Sequence, residues 1–462
     1  MTLIKSISGI RGTIGGKPSD NLTPIDAVKF ASAYGTWLKR QNPNEKLTVV
    51  IGRDARLSGQ MIQNLVASSL VGLGIDIIDL DLSTTPTVEV AVPMEKAHGG
   101  IILTASHNPK QWNALKLLNY KGEFLNGADG AEILKIAEAD DFSFAEVDDL
   151  GTLTKNDQYI NIHIEEVLKL PLVDANKIKK ANFKAVVDGV NSTGGIAIPM
   201  LLRALGVETI ELYCDPTGHF PHNPEPLKEH LTDLSELVVK EQADLGIVVD
   251  PDVDRLAFIC NDGEMFGEEY TLVACADYVL SKTPGNTVSN MSSSRALSDV
   301  TLKHNGSYEA SAVGEVNVVE LMKKNNAIIG GEGNGGIIYP ELHYGRDSLV
   351  GVALFLTHLA EVGMTTRALR DSYPSYFMSK KKIQLTPQLD VDGILKSMEA
   401  KYANEKITTI DGVKIDFPEN WVHLRKSNTE PIIRIYTEAQ SQEEADTLAD
   451  RIISEIKEVA GV

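Results

Sequence analysis

A serine and a histidine follow a short apolar stretch in the first quarter of the chain. Residues 99–103 (GGIIL) predict a buried strand, and residues 104–109 read TASHNP. The Asn-Pro pair predicts a turn, because the residue before a proline avoids the helical region. Ser106 and His107 would then lie at the carboxyl end of a strand, where open α/β sheets bind their ligands. Alone, such a serine could also be a turn or cap residue.

Three aspartates at alternate positions follow a second apolar stretch. Asp250, Asp252 and Asp254 come directly after residues 245–249 (LGIVV). Three like charges beside a buried strand are costly unless a cation lies among them. Oxygen ligands with no cysteine or histidine beside them favour a hard cation, Mg²⁺ above others. An EF-hand is excluded, because Arg255 and Asn261 stand where that loop needs glycine and glutamate.

A glycine-rich loop follows a third apolar stretch. Residues 330–336 (GGEGNGG) contain the glycine spacing of a dinucleotide-binding loop. The residues after it predict an extended segment that ends at a proline, so no helix N-terminus is available for a pyrophosphate. On this bare backbone, Glu332 and Asn334, with Gly335 beside them, suit recognition of sugar hydroxyls or an amine.

A basic, hydroxyl-rich segment lies near the C-terminal end, between two predicted strands. Its guanidinium, hydroxyl and backbone N–H groups are the donors that bind a phosphate dianion, although a surface hairpin is the simpler alternative for this loop alone. The residues concerned are Arg425, Ser427, Asn428, Thr429 and Arg434.

The composition is that of an acidic globular protein with several domains. The chain has 462 residues, 43% of them hydrophobic, and a formal net charge of −20. This charge argues against nucleic acid and anionic membranes as partners, and no apolar run approaches the ~20 residues that span a bilayer. The N-terminus lacks a signal-peptide pattern, so we expect a cytoplasmic protein. A small anionic ligand remains compatible, because Arg11, Lys116 and Arg255 are predicted at strand ends or in loops.

Strands alternate with helices over most of the chain, which predicts largely parallel sheets. Because the alternation starts again twice, we predict three related α/β domains with mixed, mainly parallel sheets over residues 1–155, 156–258 and 259–372. Residues 373–462 predict a smaller α+β domain that carries the basic segment. A serine, a metal loop, a sugar-facing loop and a phosphate-binding loop together indicate phosphate transfer between two hydroxyls of one sugar. Such transfer depends on positioning and charge stabilisation.

These segments resemble those of the α-D-phosphohexomutase family, and the match runs over nearly the whole chain. Residues 104–116 resemble its T-A-S-H-N-P…K segment, residues 250–255 its D-x-D-x-D-R loop, and residues 425–434 its phosphate loop. Arg11 and residues 54–58 resemble two further family segments.

The resemblance implies a four-domain enzyme around a central cleft, with Mg²⁺ and a hexose 1,6-bisphosphate activator or intermediate. It implies that Ser106 is a phosphoserine and, with Asp250, Asp252 and Asp254, part of the metal site. Lys116 is then an acid/base candidate, with Arg11 and His107 as further catalytic residues. The predicted substrate-binding residues are Arg255, Glu332, Asn334, Gly335, Arg425, Ser427, Asn428, Thr429 and Arg434.

Two departures from the family pattern bear on the substrate. The sugar loop is usually G-E-x-S-G, but from Glu332 this chain reads EGNGG. In addition, Glu315 stands where one branch of the family has a histidine. This version resembles the branch that acts on phosphoglucosamine. We therefore expect interconversion of glucosamine 6-phosphate and glucosamine 1-phosphate, with mannose and glucose phosphates as alternatives.

Two other functions remain to be distinguished. A phosphatase-type hydrolase would carry phosphate on Asp250 rather than Ser106. A non-catalytic phosphosugar-binding protein would keep its ligand affinity and biological function after Ser106→Ala. The expected partner is a small phosphosugar, and the protein would be a monomer or a homodimer.

Overall fold

The computed structural model describes residues 2–6, 9–384, 390–426 and 432–460. Within these residues the chain forms four sheets, each built from its own stretch of sequence. No helix in these ranges has the length and apolar character needed to cross a membrane.

The first sheet has the strand order β1-β2-β6-β5-β3-β4-β7. β3 runs parallel to β4 and β5, whereas β6 runs antiparallel to β2 and β5. Helix α1 begins with a capping box, in which the Thr23 backbone N–H donates to Asp26 at 3.0 Å. The elements are β1 (Ile4–Ser6), β2 (Gly9–Thr13), α1 (Pro24–Gln41), β3 (Thr48–Arg53), α2 (Gly59–Gly72), β4 (Asp76–Leu82), α3 (Thr85–Met94), β5 (Gly99–Leu103), β6 (Trp112–Leu118), α4 (Gly127–Glu138) and β7 (Leu153–Lys155).

The second and third sheets are each parallel except for one antiparallel edge strand. Their strand orders are β11-β10-β8-β9 and β13-β12-β14-β15. The second domain contains α5 (Tyr159–Lys169), α6 (Ala175–Ala181), β8 (Lys184–Asp188), α7 (Gly194–Leu205), β9 (Glu208–Leu212), α8 (Thr232–Glu241), β10 (Leu245–Val249) and β11 (Leu256–Cys260). The third contains α9 (Glu268–Lys282), β12 (Asn286–Asn290), α10 (Ala296–Lys303), β13 (Tyr308–Ser311), α11 (Glu315–Asn325), β14 (Ala327–Glu332), β15 (Gly336–Ile338), α12 (Ser348–Val362) and α13 (Thr366–Asp371).

The fourth sheet is antiparallel throughout, with the order β16-β20-β19-β18-β17. Its elements are β16 (Phe377–Gln384), α14 (Val391–Lys401), β17 (Lys406–Thr408), β18 (Val413–Asp416), β19 (Trp421–Lys426), β20 (Ile432–Ala439) and α15 (Gln442–Ala460). The predicted fold class, three α/β domains followed by an α+β domain, is therefore confirmed. The glycine-rich loop leads into strand β15 rather than a helix, as the sequence predicts.

One hydrophobic core is continuous across the second and third domains. The Phe258 ring on β11 stacks on the Phe355 ring of α12 with centroids 3.9 Å apart, and Phe266 packs edge-on against both. Strand β11 also extends past residue 258, the predicted end of the second domain. The exact domain boundaries remain predictions, but the shared core fixes the loop of Asp250, Asp252 and Asp254 relative to the glycine-rich loop.

Polar contacts attach the fourth domain to the third. His423 on β19 is buried, with its Nδ1 2.8 Å from Ser292 Oγ and its Nε2 2.6 Å from the Asp411 carbonyl oxygen. Lys414 Nζ donates to the Met291 carbonyl oxygen at 2.9 Å. Burial lowers the pKa of His423 to about 4, so the neutral ring belongs to the docked state.

Acidification should weaken this attachment. A histidine whose pKa is lower in the folded than in the unfolded protein stabilises folding above the unfolded pKa, near 6.5. That contribution is lost as pH falls towards about 4. The loss should reach about 3 kcal/mol at the acid end. Unfolding midpoints of His423→Gln should therefore fall less steeply between pH 6.5 and 4 than those of the exposed-site control His219→Gln. Equal slopes for the two variants would contradict this assignment.

Candidate active site

The loop after β5 holds Ser106 in a backbone conformation that few side chains adopt. Its φ is +48°, and its backbone N–H donates to Thr104 Oγ1 at 2.9 Å. The buried guanidinium of Arg56 donates to four carbonyl oxygens of the same segment, those of Ser106, Asn108, Pro109 and Trp112. Asp54 in turn binds Arg56 and the Thr104 hydroxyl. This network holds the strained serine in place.

The loop after β10 brings Asp250 against that serine. Ser106 Oγ donates to Asp250 Oδ2 at 2.6 Å, and the other oxygen of Asp250 accepts the backbone N–H groups of Asp254 and Arg255. The Ser192 and Thr193 hydroxyls, at the start of α7, donate to the Pro251 carbonyl oxygen at 2.7 and 2.8 Å. Side chains of the second domain therefore hold the aspartate loop where it meets the first domain.

The other two aspartates are neutralised from the first domain. Lys116 Nζ on β6 lies 2.7 Å from Asp252 Oδ2 and 3.3 Å from Asp254 Oδ2. The Thr85 hydroxyl at the start of α3 donates to Asp252 Oδ2 at 2.6 Å. Sequence reasoning missed Thr85, because nothing in its local pattern marks it as a neighbour of a loop far along the chain.

Arg346 connects the aspartate loop to the glycine-rich loop. Its buried guanidinium lies 2.7 Å from Asp254 Oδ2, 2.8 Å from Glu315 Oε2 and 3.0 Å from Glu332 Oε2. One cation thus holds three carboxylates from three different segments. Both oxygens of Glu332 are engaged, since Oε1 also accepts from Asn290 Nδ2 and the Gly314 N–H.

The aspartate loop has the features of a cation site. All three aspartates are 0% exposed, and one oxygen of each lies within 4.8 Å of the others. Asp252 Oδ1 and Asp254 Oδ1 are buried without a hydrogen-bond partner among the described residues. Buried carboxylate oxygens left unpaired are costly, and a hard divalent cation would satisfy both. The residues present therefore fit Mg²⁺.

Ser106 opens onto a cleft of about 720 Å³ lined by all four domains. His107 Nδ1 lies 3.4 Å from Ser106 Oγ and also faces the cleft. The predicted residues that line this cleft are Arg11, Ser106, His107, Lys116, Arg255, Glu332, Asn334 and Arg425. Arg434 is exposed on β20, paired in register with Arg425. Ser427, Asn428 and Thr429 lie outside the described residues.

Positive charges gather on one side of the cleft. Arg11 lies within electrostatic range of Arg255 and Arg434, and Arg425 Nε is held by Asp411 at 2.9 Å. In a protein with a net charge of −20, this grouping provides a local site for an anion.

Gly335 has a structural contact that the sequence did not indicate. Its φ is +88°, its carbonyl oxygen accepts the Leu256 N–H at 3.0 Å, and an added Cβ would lie 2.1 Å from the Leu256 carbonyl oxygen. A glycine is needed there because the sugar-facing loop packs directly against the strand that follows the aspartates. Glu332 and Asn334 line the cleft, whereas Gly335 lies behind that lining.

Comparison with known proteins identifies the family. Four models match in order: "Phosphoglucomutase/phosphomannomutase, alpha/beta/alpha domain I" over residues 3–144, domain II over 161–263, domain III over 267–376, and the C-terminal domain over 381–455. A Thermococcus kodakarensis protein named phosphoglucomutase/phosphomannomutase is 37% identical over 444 residues, covering 94% of this chain and 95% of its own length. The chain belongs to the α-D-phosphohexomutase family.

Two further proteins are similar to this chain over nearly its whole length. The phosphoglucosamine/phosphogalactosamine mutase of Sulfurisphaera tokodaii is 32% identical and covers 98% of this chain and 97% of its own length. A crystal structure of a phosphoglucomutase/phosphomannomutase family protein from Burkholderia thailandensis has a TM-score of 0.84 and 25% identity, covering 99% and 97% of the two chains.

Burial and neighbouring charges set the protonation of this phosphohexomutase cleft. Burial and the Arg255 charge hold the pKa of His107 well below its usual range, which keeps the ring neutral. Burial alone would lower the pKa of Lys116, but the charges of Asp252 and Asp254 outweigh it and raise that pKa, so the ammonium persists. Burial raises the pKa of Glu315 to about 7, against the opposing charge of Arg346.

Proposed function

We propose that this phosphohexomutase interconverts hexose 6-phosphates and hexose 1-phosphates through a phosphoserine at Ser106. The contact between Ser106 Oγ and Asp250 Oδ2, 2.6 Å across a domain boundary, carries the proposal. Ser106 faces the cleft, whereas the three aspartates lie behind it and are 0% exposed. A sugar hydroxyl can therefore approach the serine, which weighs against a hydrolase that uses Asp250 as its nucleophile.

Asp250, Asp252 and Asp254 would hold Mg²⁺ together with a phosphate on Ser106. When bound, the cation neutralises the charge of the phosphoryl group in transfer. Asp250 accepts the hydrogen bond of the Ser106 hydroxyl and so orients it, while Arg56 fixes the carbonyl groups of the loop.

The arginines of the cleft would hold the phosphate that does not react. Arg11, Arg255 and Arg425 reach the cleft from three different domains, so a dianion can be bound at a distance from Ser106. Carbon 1 and carbon 6 of the sugar must each face the same serine in turn. Keeping the 1,6-bisphosphate bound while the sugar reorients requires such a clamp, to which the predicted residues Ser427, Asn428 and Thr429 would add donors.

Two cleft residues suit phosphate transfer to the sugar hydroxyl. The Lys116 ammonium, which holds its proton because its pKa is raised, can stabilise negative charge at the transferred oxygen. The neutral His107, with its Nδ1 3.4 Å from Ser106 Oγ, can accept the hydroxyl proton. We assign charge stabilisation to Lys116 and the role of base to His107.

We further propose glucosamine phosphates as the preferred substrates. Beside the glycine-rich loop, the single charge of Arg346 is shared by Glu315 and Glu332, so negative charge remains to attract an ammonium. Relatives named as phosphoglucosamine mutases support this choice. The alternative, glucose or mannose phosphates, is favoured by the 37% identical phosphoglucomutase/phosphomannomutase and by the full pairing of the Glu332 oxygens.

A coupled assay on glucosamine, glucose and mannose phosphates in parallel, with Mg²⁺ and a bisphosphate activator, tests both proposals. We expect a glucosamine kcat/KM at least tenfold above the others, which corresponds to ~1.4 kcal/mol of discrimination. Equal or better turnover of the neutral sugars would leave the mutase in place and reject the aminosugar. No turnover of any of them would reject the mutase.

Glu332→Gln separates charge recognition from general damage in the same assay. Loss of the carboxylate charge should reduce the ratio of glucosamine to glucose kcat/KM about tenfold. The matched control is Glu320→Gln, which removes an exposed carboxylate from the rim of the cleft and should leave the ratio unchanged. An unchanged ratio in Glu332→Gln would show that this carboxylate does not read the amine.

A further inference from the structure

Three side chains of metal-binding type meet outside the cleft lining, where the first three domains join. We call His163 on α5, His343 and Asp347, the N-cap residue of α12, the histidine cluster. His163 Nε2 lies 2.9 Å from Asp347 Oδ2, and His343 Nε2 lies 3.2 Å from the same oxygen. The three side chains are 0%, 8% and 1% exposed.

The spacing of the donor atoms matches that of a zinc-type site. Zn²⁺ binds histidine nitrogen and carboxylate oxygen at roughly 2.0–2.2 Å in a tetrahedral arrangement, which puts neighbouring donor atoms about 3.3 Å apart. The two separations here, 2.9 and 3.2 Å, are hydrogen-bond lengths that also lie close to that value, and all three donor atoms lie within 4.8 Å of one another. A small closure of the cluster around a cation would suffice.

The outer nitrogen of each histidine also faces an acceptor of the kind that metal-binding histidines use. His163 Nδ1 lies 2.9 Å from Thr87 Oγ1, and His343 Nδ1 lies 3.4 Å from Glu89 Oε2, both on α3. Histidines that bind metals through one nitrogen usually direct the other to such an acceptor.

Glu89 provides an independent observation. Its side chain is 1% exposed, and neither carboxylate oxygen has a hydrogen-bond partner among the described residues. Buried carboxylates without donors are costly. A cation on His343 Nε2 would fix the ring proton on Nδ1. That N–H group would then be the donor that Glu89 lacks.

We propose that the histidine cluster binds a divalent transition metal of the Zn²⁺ type between the first three domains, through three protein ligands with the fourth position left to water. Two nitrogen ligands select such a metal over Mg²⁺, so this site is distinct from the aspartate loop. The metal would also help to position that loop through two connections. Thr85 on α3 donates to Asp252, and Arg346, which directly precedes Asp347, binds Asp254. This inference does not depend on the sugar substrate.

Metal binding to the full-length protein tests the proposal. After chelation and dialysis, Zn²⁺ is titrated calorimetrically with saturating Mg²⁺ present to occupy the aspartate loop, and Co²⁺ is titrated by visible absorption. We expect one Zn²⁺ per chain and a Co²⁺ spectrum typical of nitrogen and oxygen ligands. His343→Gln should weaken Zn²⁺ binding by at least about 100-fold and Glu89→Gln by about 10- to 100-fold.

A matched control assigns the site. His358→Gln removes another buried histidine and should leave Zn²⁺ affinity unchanged. The proposal is wrong if the wild-type protein binds no Zn²⁺ under saturating Mg²⁺, or if His343→Gln and His358→Gln bind it equally; the cluster is then hydrogen-bonded only. Should His343→Gln not fold, the wild-type titration and Glu89→Gln decide the question.

Discussion

Ser106→Ala is expected to abolish mutase turnover while the cleft keeps its substrate affinity. In the proposed mechanism the Ser106 hydroxyl carries the phosphoryl group between the two sugar positions, and alanine has no oxygen to accept it. Removing a covalent nucleophile should lower kcat by at least about 10⁴-fold. Binding of sugar phosphate should remain within about threefold of wild type, because the arginines that hold the phosphate are unchanged. The coupled assay and calorimetric binding measure the two effects separately.

Intact-mass measurement adds a readout that activity does not give. Wild-type protein incubated with the bisphosphate should gain the mass of one phosphoryl group, and Ser106→Ala should not. The matched control is Ser69→Ala, which removes a buried hydroxyl on α2 whose only described hydrogen bond is to the Leu65 carbonyl oxygen. It should retain turnover and phosphorylation. Phosphorylation of Ser106→Ala at Asp250 would instead support the hydrolase.

Arg346→Met should be the most destabilising single substitution at the site. It leaves the buried carboxylates of Asp254, Glu315 and Glu332 without their shared cation, and breaking a buried ion pair from one side costs about 3–5 kcal/mol. Chemical unfolding should show that loss of stability. A separate Mg²⁺ titration should show weaker binding, because Asp254 loses the partner that positions it.

The pH dependence of the Arg346→Met deficit gives the prediction a sign. Burial already raises the pKa of Glu315 to about 7 in the presence of Arg346, and loss of that cation raises it further. A carboxyl group with a raised pKa in the folded protein favours folding below its unfolded pKa and opposes it as pH rises. The deficit should therefore be larger at pH 8 than at pH 6. The control Arg367→Met breaks a partly exposed pair with Asp371 and should cost no more than about 1 kcal/mol at either pH.

The parts of the site that could be predicted are those that lie next to a predicted strand in the sequence. Ser106, the aspartate triad and Glu332 each stand within a few residues of an apolar strand, so local pattern and the rule for strand ends place them at one edge. Apolar periodicity also predicts the alternation of strands and helices that yields the three α/β sheets, because the same residues build the core.

Arg346, Thr85 and the histidine cluster could not be found in this way. Arg346 matters because Asp254, Glu315 and Glu332 meet around it, and their separations along the chain contain no repeat that a pattern could reveal. His163 and His343 lie on segments that look like ordinary helix and loop until the domains are assembled. Gly335 is the opposite case. The sequence predicts a role in binding the sugar, but the structure shows that a glycine is needed there because the backbone of Leu256 packs against it.

The catalytic contacts join segments that are made at very different times during synthesis. Ser106 and Asp250 are 144 residues apart, and Asp254 and Arg346 are 92 residues apart, whereas each sheet pairs strands from its own stretch. Domains fold as units from the N-terminus as the chain emerges. The aspartate loop is therefore made before Arg346, and the second domain lacks part of its core until Phe355 of α12 has also emerged. A chain released before its third domain would hold a complete first sheet but an unfinished second core, so premature termination should leave the aspartate loop without its fixed position.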